Sequence, residues 1–427
     1  MTPSPFLRGR RRLLAAALST ILLLAACGGG GSSDEHDDHY HIDTLGRLVI
    51  ADGSTTVRVL DLDGGTVVQN FTLDHAPSAL YASPGLRYAL AVQRTQDQVQ
   101  VIDGGIYQED HGDHLHDYKR NPALVDWRIG GVRPTHYEVH EGLGAFFMDG
   151  LDASGAPAQA VVLTDTRIAA RQVLASLTLA RAMHGTAEPR GSFLLTTYRE
   201  ADSGSTLPTQ VELYQRNGSG YTFLQRFDPL CPGLHGSYSN AGHSAFGCTD
   251  GVLVVTQDGS SFNARKLPNP DDMPVGARIG TITGHPERGS FIGIASPGHF
   301  FEIDPVAGTI TRIPWAEGRT RRAHAIDAEG RHLLILDDQG TLHVLDGDAG
   351  WAVRARLPAI ANMPTAAPFP TIAVNRAADR AYLSDPAGSR IVVVNLETAT
   401  LAEPIALNFN PTLLTWVGIE RHDDPAH

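Results

Sequence analysis

The sequence contains two short segments in which histidines are interspersed with acidic residues. The first, QEDHGDHLHDY, runs from Gln108 to Tyr118, and the second, DEHDDHYHID, runs from Asp34 to Asp43. Imidazole nitrogens and carboxylate oxygens are ligands of Zn²⁺, and several of them close together allow an ion to move by stepwise ligand exchange. The candidate ligands are His111, Asp113, His114 and His116 in the first segment and His36, His39 and His41 in the second. The alternative is a pair of solvated acidic loops with nonspecific metal affinity.

Four more histidines occupy one position of a repeated pattern. His136, His184, His235 and His324 each lie six or seven residues before a glycine that marks a hairpin turn. If these residues begin the innermost strands of a ring of sheets, their imidazoles approach a common axis. We expect three of them, or three with a carboxylate, to hold one Zn²⁺. His140 shares a strand face with His136, because side chains alternate along a strand, and could join or support the site.

These histidines could also be structural and form hydrogen bonds between neighbouring repeats. The remaining histidines are expected at the surface or in turns, namely His75, His299, His332, His343, His422 and His427.

The elements that must position these residues are short strands that recur along the chain. Units such as ITGHPERGSFIGIASPGHFFEIDPVAG and AHAIDAEGRHLLILDDQGTLHVLDGDAG follow one another about every 40 to 58 residues, which is the period of four-stranded propeller blades. The 44 glycines and 26 prolines indicate many tight turns, and no helical periodicity is sustained beyond the N-terminus. The pattern predicts an all-β protein, a β-propeller with eight blades, with seven as the alternative.

The two ends of the repeated region complete each other. PTLLTWVGIE near the C-terminus reads as an innermost strand without a sheet, and residues 46–73 read as three outer strands without an innermost one. Pairing them closes the ring and removes exposed sheet edges. We therefore predict one propeller over residues 46–420 and a tail over 421–427. QEDHGDHLHDY then follows the third strand of the unit that begins at Ser78, as a loop leading to His136 and lying over the metal site.

The N-terminus predicts export and a lipid anchor. A basic region with Arg8, Arg10, Arg11 and Arg12 precedes the apolar run LLAAALSTILLLAA, and LAAC ends at Cys27. This resembles a bacterial lipobox and predicts cleavage after residue 26, acylation of Cys27, and a periplasmic protein attached to a membrane. Residues 27–45 would be a flexible Gly/Ser tether with the His/Asp-rich segment. The alternative is an ordinary secretory signal with a chance cysteine.

Charge and cysteine content narrow the function classes. The formal charge is −13, and removal of residues 1–26, which hold four arginines and no acid, takes it to −17. An acidic surface of this kind excludes nucleic acid and favours a cation as partner. Cys231 and Cys248 are predicted to form a disulfide in an oxidising compartment, with two thiolate metal ligands as the alternative. We expect a monomer.

The His/acid motifs also carry a family resemblance. EDHGDHLHDY followed by RPTHYEVHEG, behind an acidic His-bearing N-terminal segment, resembles the periplasmic zinc metallochaperones that accompany ABC-type zinc importers. The resemblance implies a β-propeller, bound zinc, a His-rich segment that collects or delivers the ion, and a solute-binding protein as recipient. It assigns metal contacts to His111, Asp113, His114 and His116 and to His136 with His140. The lipobox departs from a freely diffusing carrier.

Two other functions remain open from the residues alone. One is a non-catalytic propeller that acts as a binding or scaffold lipoprotein, which would leave both His/acid segments without a role. The other is a secreted metal-dependent hydrolase, since a metal in a His-lined channel can activate water. No GxSxG, Walker-type glycine loop or HExxH motif is present in the sequence. We therefore rank a non-enzymatic zinc carrier first, a scaffold second and a hydrolase third.

Overall fold

The computed structural model describes residues 41–112 and 114–421. Cys27, His36, His39, Asp113 and the predicted tail from residue 422, with His422 and His427, lie outside the described residues. Eight sheets of four or five strands follow one another in chain order, and each is one blade of a β-propeller. The predicted fold and the blade number of eight are confirmed.

The strands of blades 1 to 4 are as follows. Blade 1 contains β1 (Arg47–Ala51), β2 (Thr56–Asp61) and β3 (Thr66–Thr72). Blade 2 contains β4 (Ala79–Ala82), β5 (Tyr88–Gln93), β6 (Gln98–Asp103) and β9 (Ala123–Gly130), with the separate hairpin β7 (Ile106–Asp110) and β8 (Leu115–Lys119) inserted before β9. Blade 3 contains β10 (Pro134–His140), β11 (Leu143–Met148), β12 (Gln159–Leu163) and β13 (Ala175–Thr178), and blade 4 contains β14 (Ala187–Arg190), β15 (Phe193–Tyr198), β16 (Gln210–Asn217) and β17 (Gly220–Arg226).

The second half of the ring repeats this plan. Blade 5 contains β18 (Ser237–Ser239), β19 (His243–Cys248), β20 (Gly251–Asp258) and β21 (Ser261–Pro268), and blade 6 contains β22 (Ile279–Gly284), β23 (Phe291–Ala295), β24 (His299–Asp304) and β25 (Thr309–Ile313). Blade 7 contains β26 (Arg321–Ile326), β27 (His332–Asp337), β28 (Thr341–Asp346) and β29 (Ala352–Pro358). Blade 8 contains β30 (Ile372–Val374), β31 (Arg380–Asp385), β32 (Arg390–Asn395), β33 (Thr400–Leu401) and β34 (Ile405–Ala406), and β35 (Leu413–Val417) follows it. A short helix α1 (Asp165–Ala169) and two 3-10 turns, Arg94–Gln96 and Asp152–Ser154, complete the described elements.

The ring closes as the sequence predicts. β35 is the innermost strand of blade 1 and pairs antiparallel with β1, with Val49 opposite Thr415. Trp416 in β35 also donates a hydrogen bond from its indole nitrogen to the Leu45 carbonyl at 2.9 Å. The C-terminal strand is therefore held in blade 1 by the N-terminal part of the propeller, and closure satisfies the backbone groups of both strands.

The hydrophobic core lies between the blades. Each of eight clusters of buried apolar side chains combines residues from two neighbouring blades, and the last of them joins blade 8 to blade 1. The middle strands, such as β5 and β27, are buried along their whole length and rich in aliphatic residues. Because each blade is packed on both faces, the ring fixes the innermost strands relative to one another.

The predicted disulfide is present between Cys231 and Cys248. Both cysteines are buried, and they connect the segment before blade 5 to the end of β19. Within the part of the chain that the structure describes, no helix has the length and apolar character needed to cross a membrane.

Two histidines predicted at the surface are buried in blade 7. His332 Nδ1 lies 2.7 Å from Asp327 Oδ2, and His343 Nε2 lies 3.1 Å from Asp337 Oδ2. β27 and β28 are middle strands of blade 7, which face neighbouring blades on both sides. Hydrogen bonds to the carboxylates offset the cost of burying the two imidazoles there. The surface prediction for His332 and His343 was wrong, whereas His75 is exposed and His299 is half-buried.

The segment Gln108–Tyr118 is a β-hairpin, and the prediction of a loop over the channel histidines was wrong. It leads into β9, the outermost strand of blade 2, before the chain reaches His136. We name the side of the propeller where innermost strands begin the entry face and the other side the exit face. Because successive strands of a blade run antiparallel, the connection between the third and fourth strands lies at the exit face. His136 lies near the beginning of β10, so the hairpin and His136 are at opposite faces.

Candidate metal centre

Three histidines from three neighbouring blades converge at the entry face of the channel. His136 belongs to β10 of blade 3, while His184 and His235 immediately precede the innermost strands of blades 4 and 5. The Nε2 atom of His184 lies 3.4 Å from Nε2 of His136 and 3.0 Å from Nε2 of His235. One ligand atom from each residue lies within 4.8 Å of the other two. We call these residues the His triad.

Glycines allow two of these histidines to approach closely. A side chain on Gly185, which follows His184, would place its Cβ 2.0 Å from Thr197 Oγ1. Gly236, which follows His235, has a φ of +73°, and a Cβ there would lie 2.7 Å from the Gly280 carbonyl. Only glycine fits both places without displacing backbone or packed side chains. The dipeptide His-Gly is thus a sequence signal that His184 and His235 share, although His111-Gly112 of the hairpin also contains it.

The hydrogen bonds of the triad direct lone pairs toward its centre. The Gly280 carbonyl, which can only accept, lies 2.6 Å from His235 Nδ1, so Nδ1 of His235 donates. The Asp149 carboxylate lies 3.0 Å from His184 Nδ1 and fixes that ring in the same way. A neutral imidazole with a proton on Nδ1 carries a lone pair on Nε2. Two such lone pairs therefore face each other across 3.0 Å, an arrangement that a cation between them stabilises.

The spacing and charge state of the triad fit a zinc ion. Zn²⁺ at its usual distance of about 2.0 Å from each nitrogen separates tetrahedral ligands by about 3.3 Å, and two of the measured separations are 3.4 and 3.0 Å. Burial lowers the pKa of His136 to about 4, helped by the neighbouring His184 and His235. Burial also lowers the pKa of His235. His136 and His235 are therefore neutral near pH 7, which is the form that binds metals.

Asp149 is a site residue that the sequence analysis missed. It follows β11 in the dipeptide Asp-Gly, which is typical of a turn. Its Oδ2 accepts hydrogen bonds from His184 Nδ1 and, at 2.8 Å, from Arg94 Nη2, while Oδ1 is buried without a hydrogen-bond partner among the described residues. Metal-binding histidines commonly hold their second nitrogen on such a carboxylate.

Two carboxyl groups lie deeper along the same innermost strands. Glu138 follows His136 by two residues in β10, and Glu188 lies in β14 and accepts a hydrogen bond from Ser239 at 2.7 Å. Burial raises the pKa of Glu188 to about 7, and burial with the nearby Glu188 raises the pKa of Glu138 well above its usual value. Among the described residues, neither carboxyl group belongs to the cluster of three side chains that could hold a metal ion.

Two other candidate ligands do not reach the triad. His140 lies four residues beyond His136 on β10, a distance of about 13 Å along an extended strand. His324 belongs to blade 7, and its ring lies 6.3 Å from the ring of Phe300 in blade 6. Its Nδ1 instead lies 2.8 Å from Arg321 Nη1. Among the described residues, the structure therefore brings together His136, His184 and His235 but neither His140 nor His324.

The hairpin gathers its own histidines at the exit face. The ring centroids of His111, His114 and His116 lie 4.8 to 5.5 Å apart, and Tyr118 Oη lies 3.3 Å from His111 Nε2. The backbone N–H of His111 donates to the His114 carbonyl at 2.9 Å and closes the turn. We call these three residues the hairpin histidines.

The two His/acid segments of the sequence meet at this hairpin. Asp117 is buried, and its Oδ2 accepts a hydrogen bond from the Ile42 backbone N–H at 3.0 Å. His41 Nδ1 lies 3.0 Å from the same oxygen, and Gln108 Nε2 donates to Oδ1 at 2.9 Å. The carboxylate therefore attaches the end of the N-terminal segment to the hairpin. It is not a freely exchangeable ligand.

Comparison with known proteins identifies a similar zinc chaperone. The chain is 27% identical over 396 residues to the zinc chaperone AztD of Citrobacter koseri, and the match covers 90% of each protein. A structure of apo AztD from the same organism superposes with a TM-score of 0.75 at 24% identity, over 88% of this chain and 99% of that one. The predicted resemblance is confirmed, and the relative is AztD.

More distant matches add only the fold. The dihydro-heme d1 dehydrogenase NirN matches with a TM-score of 0.58 and 14% identity, over 89% of this chain and 76% of NirN. No protein family model matches the chain. AztD, in contrast, is described as a zinc chaperone.

Proposed function

We propose that the protein is a zinc chaperone that holds Zn²⁺ at the His triad. The observation that carries this proposal is the convergence of three Nε2 atoms, with the opposite nitrogens of His184 and His235 held by Asp149 and the Gly280 carbonyl. Imidazoles oriented in advance lose little freedom on binding, so we expect this to be the tighter site. The resemblance to AztD supports zinc as the metal.

The hairpin histidines, with His41 beside them on Asp117, would form a second, more exchangeable zinc site. Two of the hairpin imidazoles, those of His111 and His114, approach each other across a turn, and Glu109 lies 4.0 Å from His111. Asp113, His36 and His39 remain candidate zinc ligands on sequence grounds. Since this site is at the exit face and the triad is at the entry face, the two would load independently.

The recipient in this proposal is the solute-binding protein of a periplasmic ABC zinc importer. The export signal and the lipobox ending at Cys27 support a periplasmic protein anchored to a membrane, and the charge of −13 suits a protein that attracts cations. A tether after Cys27 would let an anchored monomer reach a partner at the membrane.

The proposal is tested by zinc binding and transfer. Metal-depleted protein should take up at least one zinc ion per chain, and His184→Ala should abolish the tighter binding event. His299→Ala, which changes a histidine of β24 outside the triad, is the matched control and should bind as the wild type does. Mixing zinc-loaded protein with the metal-free solute-binding protein should move the ion faster than release into a chelator does. A wild-type protein that takes up no zinc ends the proposal.

The same experiment separates the other two functions. Zinc binding without transfer would favour a scaffold or storage protein. Zinc-dependent turnover of an ester or lactone, lost in His184→Ala, would favour the metal-dependent hydrolase.

A further inference from the structure

A cavity in the channel lies across from the His triad. Its volume is about 620 Å³, and the innermost strands of blades 7, 8, 1 and 2 form it, whereas the triad comes from blades 3 to 5. Most of its wall is apolar, with Phe369, Ile372 and Ala373 among the lining residues. Ligand pockets of about 300 to 1,000 Å³ are typical for small organic molecules.

The charged residues of this wall are all cationic. Arg321, Arg322 and Arg376 line the cavity, and no aspartate or glutamate is among the described residues that line it. Arg376 is compensated, because its Nη1 lies 3.1 Å from Glu420 Oε1. The other two guanidinium groups form no ion pair with a described carboxylate within 4.0 Å, in a protein whose net charge is −13.

Arg321 is the clearest case of a charge that lacks a counter-ion. Its Nη1 lies 2.8 Å from His324 Nδ1, while its Nε is buried without a hydrogen-bond partner among the described residues. Burial lowers the pKa of His324 to about 3, so this imidazole is neutral and accepts from Arg321 without compensating its charge. A guanidinium stays protonated in proteins, so the charge must be balanced from elsewhere.

Arg322 supplies a second donor beside an aromatic wall. Its guanidinium carbon lies 4.4 Å from the centroid of the Phe369 ring, and its Nε is buried without a hydrogen-bond partner in the described part of the chain. A planar guanidinium stacked on an aromatic ring keeps its N–H groups free in the plane, where they can bind a carboxylate through two hydrogen bonds.

We propose that this cavity binds a small organic anion with two or three carboxylate groups. Arg321 and Arg322 would bind the carboxylates, and His324 would position Arg321. The apolar wall around Phe369 would contact the hydrocarbon part of the ligand, and the volume exceeds what an inorganic oxyanion fills. This site is independent of zinc binding and gives a role to His324, which lies outside the triad.

The test measures anion binding by the full-length protein in a low-chloride buffer. Tricarballylate and succinate are the organic probes, and sulfate and phosphate are the inorganic ones, with calorimetry and thermal unfolding as readouts. We expect an organic probe to bind and raise the melting temperature. Arg321→Gln should weaken the binding of that probe at least about tenfold, since a hydrogen bond to a charged group contributes about 1.5 to 3 kcal/mol.

Arg312→Gln is the matched control, because Arg312 lies on β25 in an exposed position beside His299. This variant should bind the organic probe as the wild type does. Arg322→Gln is a second variant in case Arg321→Gln fails to fold, and it should also weaken binding. Absence of binding by either organic probe at millimolar concentration overturns the proposal, as does unchanged binding in both variants. Sulfate or phosphate binding as tightly as tricarballylate overturns the assignment to organic carboxylates.

Discussion

Asp149 Oδ2 lies 3.0 Å from His184 Nδ1, on the side of the ring that faces away from His136 and His235. The same oxygen accepts a hydrogen bond from Arg94 at 2.8 Å. One carboxylate of blade 3 thus fixes the tautomer of a histidine in blade 4, and Arg94 of blade 2 fixes the carboxylate. The triad is therefore a property of the ring of blades, because no single blade could orient it.

Replacing Asp149 tests this orientation. In Asp149→Asn we expect zinc affinity of the tighter site to fall about 10- to 100-fold, because second-sphere partners of metal-binding histidines contribute about this much. Competition with a chelator of known affinity measures the change. Asp152→Asn is the control, since Asp152 lies in the same blade as Asp149 but pairs with Arg199, at 2.8 Å. An affinity equal to that of the wild type would show that Asp149 has no part in the site.

The separation of the two candidate sites leads to a second prediction. His111, His114 and His116 belong to the exit face, so replacing all three with Ala should leave the affinity of the triad unchanged within about twofold. The same variant should lose the weaker zinc-binding event and slow the transfer of zinc. Calorimetric titration with zinc separates the two events. A loss of both events together would mean that the hairpin contributes ligands to the triad, contrary to the topology.

The contact between Asp117 and the N-terminal segment can be tested separately. In Asp117→Ala, the backbone N–H of Ile42 and the imidazole of His41 both lose an acceptor, so residues 41 and 42 should detach from the hairpin, whereas Leu45 keeps its hydrogen bond with Trp416. Hydrogen exchange of the Ile42 amide should become faster by at least about tenfold. Asp126→Ala is the control, because Asp126 is exposed on β9. Unchanged exchange would show that other contacts hold this segment.

The fold could be predicted from the sequence because local patterns determine it. Alternating aliphatic runs separated by glycine-containing turns specify each blade, and the unpaired strands at the two ends, β1 and β35, specify closure. The register of the repeats also predicted that His136, His184 and His235 lie near the beginning of their innermost strands. The register does not specify which blades are close enough to share an ion. His324 has the same position in its repeat, but its imidazole lies beside Arg321 and Phe300 and not beside the triad.

Other features depend on contacts that no local pattern encodes. Asp149 looks like a turn residue, and its function comes from two residues 35 and 55 positions away. The hairpin was mistaken for a loop because its strands are mostly polar beyond Ile106 and Tyr107, so no hydrophobic alternation marks them. Asp117 is an acidic residue in a His/acid segment, as an exchangeable ligand would be. The backbone N–H of Ile42, 75 positions earlier in the chain, nevertheless donates a hydrogen bond to it.

The buried carboxylate of Asp337 predicts a pH-dependent contribution to stability. Burial alone would raise the pKa of Asp337, but hydrogen bonds from Arg319 and His343 and from the backbone N–H groups of Thr341 and Gln339 outweigh it and lower the pKa to about 2. A carboxyl group whose pKa is lower in the folded than in the unfolded state stabilises the fold above pH of about 4 and loses this effect as the pH falls toward 2. Asp337→Asn should therefore reduce the free energy of unfolding by about 2 kcal/mol at pH 7 and by about half of that at pH 3. Urea denaturation at the two pH values measures both differences, and Asp348→Asn, which changes an exposed carboxylate of the same blade, should show neither. A reduction that is the same at pH 3 and pH 7 would mean that the charge of Asp337 does not stabilise blade 7.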